Sequence, residues 1–271
     1  MEIQGKFNTA IVYNDFVEDE AISQILKLCN QDFLKNSKIR IMSDCHAGKG
    51  CVIGTTLTVQ DKIVPNLVGV DISCGVDVFY LQTENIDLRR LDNFIRSEIP
   101  SGFNIRIHRH SLVKNIKSDL EKLKCLKNID LNRALLSVGT LGGGNHMIEL
   151  GKDSKGFTYF IVHSGSRHIG GQVAKYYQEQ AYKNLTSESS GAKELIATLK
   201  KQGRAKDISK ELTKLKQSSP HVDKDLAYCE GDLFKEYIHD VKILEKYAYI
   251  NRRAIILDML SFLNIDQNKG T

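Results

Sequence analysis

Leu67-Val68-Gly69-Val70-Asp71-Ile72-Ser73-Cys74-Gly75-Val76-Asp77-Val78-Phe79-Tyr80 places two β-branched runs on either side of a short polar turn. The runs 67–70 and 76–80 read as strands joined by a tight loop. The same texture surrounds this stretch: Ile39 to Met42 and Val52 to Val59 read as strands, and Phe157 to Val162 runs straight into His163. The remainder has helical spacing. Ala21 to Cys29 follows an acidic start at Glu18-Asp19-Glu20, which suits a helix N-terminus. Asp87–Ile99, Leu112–Leu126, Gly170–Leu185, Ala192–Lys201, Ile208–Leu215 and Leu226–Leu263 also read as helices. The expected class is α+β, β-rich at its centre with helices outside. There is no internal repeat. Gln217-Ser218-Ser219-Pro220 is the nearest approach to a linker, and a single domain over 1–271 is expected.

Composition narrows the possibilities. With 41% hydrophobic and 26% charged residues the chain falls in the globular range. No apolar run reaches the length of a spanning helix, and Met1 to Ala10 lacks the order of a secretory signal, so no membrane is expected. Six cysteines are scattered without a Cys-x-x-Cys pair, which fits a reducing cytoplasm better than a disulfide framework. A net charge of +5 permits an anionic partner without requiring one.

Metal-capable side chains gather at strand ends and in the loops after them, in four segments: Met42 to Gly50, Asp71 to Gly75, Gly142 to His146 and His163 to His168. Asp71 and Cys74 lie three apart in a turn closed by Gly75, where both can face one ion. A buried cysteine beside a turn-forming Asp would give the same spacing. His146 follows three glycines whose N–H groups can cradle an anion, though a plain Gly-rich turn would look alike. After His163, Arg167 can grip phosphate with two parallel hydrogen bonds. Together the segments suggest phosphoryl-transfer chemistry on a metal.

Two other readings carry less. Gly48-Lys49-Gly50 is not a P-loop, because the required Gly and Ser/Thr are replaced by Ser43 and Gly50. The Lys-rich stretch 193–216 reads as a solvated helix face, with RNA phosphates the less favoured partner.

Asp44-Cys45-His46-Ala47-Gly48-Lys49-Gly50, Gly69-Val70-Asp71-Ile72-Ser73-Cys74-Gly75, Gly139-Thr140-Leu141-Gly142-Gly143-Gly144-Asn145-His146-Met147-Ile148-Glu149 and His163-Ser164-Gly165-Ser166-Arg167 resemble, in order and spacing, the RtcB family of RNA-splicing ligases. Tyr247-Ala248-Tyr249-Ile250-Asn251-Arg252 is similar to its later helix signature. The resemblance runs from about residue 38 to 253. It implies an enzyme that uses GTP and two Mn2+ ions to join RNA ends carrying a 3′-phosphate or 2′,3′-cyclic phosphate to ends carrying a 5′-hydroxyl. It implies that Asp71, Cys74 and His146 hold one ion, and that Cys74 bridges to a second, which His163 also holds. It places Asn145, Arg167 and, more loosely, Arg133 near phosphates, and Glu149 at the guanine. The ligands alone would suggest Zn2+, so Mn2+ comes from the resemblance.

The chain departs from the family after Asn251-Arg252, where it contains no His. The family has two there: one completes the second metal site, and the other takes GMP as nucleophile. His221 and His239 precede the signature and are not taken as replacements. The expectation is a chain incomplete at its C-terminus, with no guanylylated His. A catalytically silent metal- or RNA-binding module and a metal-dependent phosphoesterase are the alternatives.

Overall fold

Strand Thr158–Ser164 shows how the sequence builds its sheets. Its residues alternate buried and half-buried along the whole length, the period-two pattern of a strand with one packed face. A computed structural model describes residues 1–81, 86–189, 192–218 and 222–266. The elements in chain order are β1 (Glu2–Gln4), β2 (Thr9–Val12), α1 (Asp19–Cys29), β3 (Ile39–His46), β4 (Ile53–Leu57), α2 (Pro65–Val68), β5 (Gly75–Leu81) and α3 (Leu88–Glu98). Then follow α4 (Lys117–Leu120), α5 (Leu131–Leu136), β6 (Met147–Lys152), β7 (Thr158–Ser164), α6 (Arg167–Ser189), α7 (Ala192–Lys201), α8 (Ile208–Ser218) and α9 (Gly231–Phe262). The fold is α+β, as the sequence implies.

The chain divides into two compact units. The first comprises 1–69 and 175–235, the second 70–174 and 236–271. The first contains a four-stranded sheet in the order β1-β2-β3-β4, with β2 and β3 parallel and the other pairs antiparallel. Ala10, Val12, Ile39 and Ile41 of this sheet pack with Ala21, Ile25 and Leu28 of α1. The second contains an antiparallel sheet in the order β5-β7-β6. Phe79, Leu81, Phe160 and Val162 form its buried face, against Leu91 of α3 and Ile255, Ile256, Met259 and Leu260 of α9. Burying a side chain of this size contributes about 1.5–3 kcal/mol.

The structure corrects two expectations. Residues 67–70 are not a strand, since Pro65–Val68 form a helical turn. Pro65 supplies the fixed φ of a first helical position, and Gly69 at φ 93° stops the turn. Leu112–Leu126 is not one helix either. It breaks into a 3-10 turn at Ser111–Asn115, the short α4 and further turns. The expected linker at 217–220 falls partly outside the described residues, as does His221.

Candidate metal centre

Three chain segments reach one end of the β5-β7-β6 sheet at the same level. The register pairs Val76 with His163 and His163 with Met147. Cys74, one residue before β5, and His146, one residue before β6, therefore arrive beside His163 on β7. The Asp71–Cys74 turn closes with a 3.0 Å hydrogen bond from Cys74 N–H to the Asp71 carbonyl. Ser73 takes φ 60° within it, a conformation that side chains rarely adopt. Arg252 on α9 holds this turn. Its guanidinium donates to the carbonyls of Ser73 (3.3 Å) and Ser164 (3.0 Å) and pairs with Asp77 at 3.0 Å.

One carboxylate oxygen of Asp71, Cys74 Sγ and one His146 ring nitrogen lie within 4.8 Å of one another, the one such group of three among the described residues. His146 Nε2 is 2.8 Å from Asp71 Oδ2 and 3.4 Å from Cys74 Sγ. His163 Nε2 is 3.0 Å from the same sulfur. The cysteine sulfur thus sits between two imidazoles. The outer nitrogens are also held. His163 Nδ1 donates to the Asn145 carbonyl at 3.1 Å, and this tautomer leaves Nε2 with its lone pair inward. His146 Nδ1 accepts from Arg167 Nη1 at 3.2 Å, so its Nε2 carries the proton shared with Asp71. Arg167 is fixed further by its Nε bond to Thr140 Oγ1.

Two glycines make these approaches possible. A Cβ at Gly165 would collide with the Asp71 carboxylate, and one at Gly142 with the Arg167 guanidinium. Gly142 also sits at φ 93°.

Electrostatics favour an ion here. Burial would raise the Asp71 pKa, but hydrogen bonds from His146 and Cys74 and the nearby Arg167 charge hold it below the usual carboxylate range. Burial, then the Asp71 charge, push the Cys74 thiol up to about 12, with Arg252 opposing. A thiolate at neutral pH therefore needs a cation beside it. The donor set of carboxylate, sulfur and imidazole fits a divalent transition metal: the Asn145 carbonyl behind His163 already leaves that Nε2 free to ligate, and His146 Nε2 would ligate on loss of the proton it shares with Asp71.

The other sequence-derived residues are placed as follows. Asn145 touches the cluster through its backbone carbonyl. Arg133 on α5 donates to the Phe103 carbonyl at 2.9 Å and lines a cavity of about 370 Å³ together with Arg167. Glu149 is exposed on β6, opposite Ile161 and one side-chain row further along the sheet than the Met147–His163 pair. Asp44, Cys45 and His46 end β3 in the first unit, with His46 Nδ1 2.9 Å from the Asp44 carbonyl. Asn251 and Arg252 were read from the sequence only as a signature. Asn251 is fully buried, accepts from Gly139 N–H and Thr140 N–H, and donates to Ser164 Oγ, so it fixes the start of the glycine loop. The available signal was a polar pair inside an otherwise apolar-periodic helix.

The family model described as tRNA-splicing ligase RtcB matches residues 24–265. The chain belongs to the RtcB family. It is 27% identical over 270 aligned positions to the RNA-splicing ligase RtcB of Escherichia coli (strain K12), covering 91% of this chain and 58% of that relative. Similarity to the RNA-splicing ligase RtcB homolog 1 of Entamoeba dispar is 26% over 267 positions, covering 79% of this chain and 44% of the relative. The chain thus spans about half the length of these RtcB relatives, 58% of one and 44% of the other. Among the described residues no helix is long and apolar enough to cross a membrane.

Proposed function

We propose that this chain carries the metal- and phosphate-binding part of a GTP- and Mn2+-dependent RNA ligase. The ligase would join 3′-phosphate or 2′,3′-cyclic phosphate ends to 5′-hydroxyl ends in a cytoplasmic setting. The supporting observation is the position of Cys74 Sγ between the Nε2 atoms of His146 and His163, with Asp71 alongside. Asp71, Cys74 and His146 would hold one ion, and Cys74 and His163 a second. When bound, paired cations stabilise the attacking and leaving oxygens of an in-line displacement.

The chain's own residues supply the rest. Arg167 and the Gly142–Asn145 loop orient the terminal phosphate. Its N–H groups carry no side chains over Gly142 to Gly144, so an anion can come close. Arg133 offers a second guanidinium in the cavity that Arg167 lines. Glu149, on the open face of β6, is the acceptor proposed for guanine, and Asn145 a phosphate contact.

The test is binding of short RNAs. A charge-assisted Arg contact is worth roughly 1.5–3 kcal/mol, or about ten- to a hundredfold in affinity. Arg167→Ala should weaken binding of a 3′-phosphorylated RNA by that factor, Arg167→Lys should restore it in part, and a 3′-hydroxyl RNA should show little change. Equal weakening of both RNAs would reduce Arg167 to a general backbone contact or a folding residue.

A further inference from the structure

Beside the Arg133–Arg167 cavity stands a loop, Ser101 to His110, whose backbone is pinned at many points. Gly102 N–H donates to the Gly142 carbonyl at 2.8 Å and Asn104 N–H to Ser101 at 3.1 Å. Arg133 donates to the Phe103 carbonyl at 2.9 Å, and Arg106 N–H bonds the Leu136 carbonyl at 3.0 Å. The Arg106 guanidinium grips the Gly139 carbonyl at 3.1 and 2.7 Å and pairs with Asp258. Asp258 also holds His110 at 3.2 Å.

This fixed loop holds a phenyl ring in water. Phe103 is 94% exposed. Among the described residues the ring is outside the buried core. It lines the same cavity as Arg133, Arg167 and the Gly143-Gly144 step. His168 lines it too, and among the described residues no carboxylate does. A fixed aromatic face beside two guanidiniums and free glycine N–H groups matches one ligand chemistry: a planar base attached to a phosphate.

We propose that Phe103 is a stacking platform for the nucleobase of the nucleotide whose phosphate Arg133 and Arg167 receive. This rests on the reading of the cavity as an RNA-end site and adds a residue that grips the base rather than the phosphate. Stacking tolerates any base, so the platform would accept 3′-phosphate ends of any sequence.

The chain contains no Trp, so Phe103→Trp introduces a single fluorophore at the proposed contact. The experiment titrates this variant with a dye-labelled oligoribonucleotide 3′-phosphate and with the same oligonucleotide abasic at its last position, following anisotropy and Trp emission together. The base-bearing RNA should quench Trp with the midpoint seen by anisotropy, and the abasic RNA should not. Phe103→Ala should lower affinity for the base-bearing RNA roughly five- to a hundredfold, and Phe103→Tyr should retain it. Affinity for the abasic RNA should stay the same in all variants. Circular dichroism should be unchanged, because the ring packs on nothing. Tight RNA binding without quenching, or an equal loss of both RNAs in Phe103→Ala, would overturn the platform while leaving the end-binding site standing. Failure of wild type to bind the 3′-phosphorylated RNA more tightly than the 3′-hydroxyl RNA would overturn both.

Discussion

Two places in the second unit set a carboxylate against a cysteine, and they are built for opposite ends. At Asp240 and Cys125 both partners are sealed, at 0% and 1% exposure. The Asp240 oxygens accept from Lys124 N–H at 2.9 Å and Cys125 N–H at 3.1 Å, so the carboxylate ties a turn to α9. At Asp71 and Cys74 the cysteine is exposed, and two ring nitrogens reach the sulfur itself, His146 Nε2 at 3.4 Å and His163 Nε2 at 3.0 Å, whereas at the sealed pair a ring nitrogen, His239 Nδ1, meets the carboxylate, at Asp240 Oδ1 and 3.0 Å. Both thiols are pushed up by burial and then by the neighbouring carboxylate. A carboxylate next to a raised thiol is therefore no sign of a metal site. What separates the two is the sulfur: two imidazoles reach Cys74 Sγ, while the Asp240 carboxylate is tied to the main-chain N–H groups of the turn that carries Cys125.

Exchanging the two carboxylates should break the comparison most strongly. Asp71→Asn should cost about a hundredfold or more in Mn2+ or Co2+ affinity by isothermal titration, beyond the ~10–100-fold usual for residues behind the ligands, with little change in urea stability. Asp240→Ala should do the reverse. It strands two buried N–H groups and should cost roughly 2–4 kcal/mol in urea denaturation, while the folded fraction keeps its metal affinity. Loss of metal affinity in both would mean that Asp240 acts on the centre.

A smaller effect sharpens the open side. Arg252→Lys keeps a charge on α9 but cannot reach Ser73, Ser164 and Asp77 with one planar fork. Co2+ affinity should fall about tenfold, and the intensity of the sulfur-to-cobalt band should fall as the turn bearing Cys74 loosens. An unchanged band with a lowered melting point would make Arg252 a packing residue only.

The smallest effect is expected at another sealed thiol, Cys229 of the first unit, which has 0% exposure. Burial holds the Cys229 thiol up at about 12, above its ordinary value of 9.0. The folded chain keeps this proton where the unfolded chain has released it. Stability is therefore intact below pH 9 and falls as pH rises towards 12, by about 1.4 kcal/mol per pH unit for this thiol. Cys229→Ala should flatten that fall in urea denaturation between pH 8.5 and 10.5, and an unaltered slope would show that other groups carry it.

The residues that the structure gathers at the candidate centre are legible in the sequence. Asp71, Cys74, His146 and His163 announced themselves because metal-capable types rarely cluster at successive strand ends and glycine turns. The residues that hold them were not legible. Arg252 and Asn251 act on segments 80 to 180 residues away, and no local pattern encodes a hydrogen bond to the carbonyl of Ser73 or the N–H of Gly139. The fold divided in the same way. β7 was visible because its alternation is local, and the sequence reading ended it at Val162, two residues short of Ser164. β6 was not read as a strand, because Gly151 and the exposed Glu149 and Lys152 dilute its pattern. Residues 67–70 misled because Leu-Val-Gly-Val looks like a strand until Pro65 and Gly69 are read as the start and stop of a turn.

Four side chains of α9 hold loops that shape the candidate centre. Tyr247 bonds the Ala134 carbonyl, Asn251 the Gly139–Thr140 amides, Arg252 the Ser73 and Ser164 carbonyls, and Asp258 the Arg106 and His110 side chains. The loops also bond one another, as Gly102 N–H to the Gly142 carbonyl and Arg106 to the Gly139 carbonyl, and they share this helix, so they open together with it. Their slow amide protons should exchange with solvent water at one common opening free energy, that of unwinding α9 between Tyr247 and Asp258. The site would then open as a single cooperative element, with no sequence of partial openings through which one loop frays while the others stay closed.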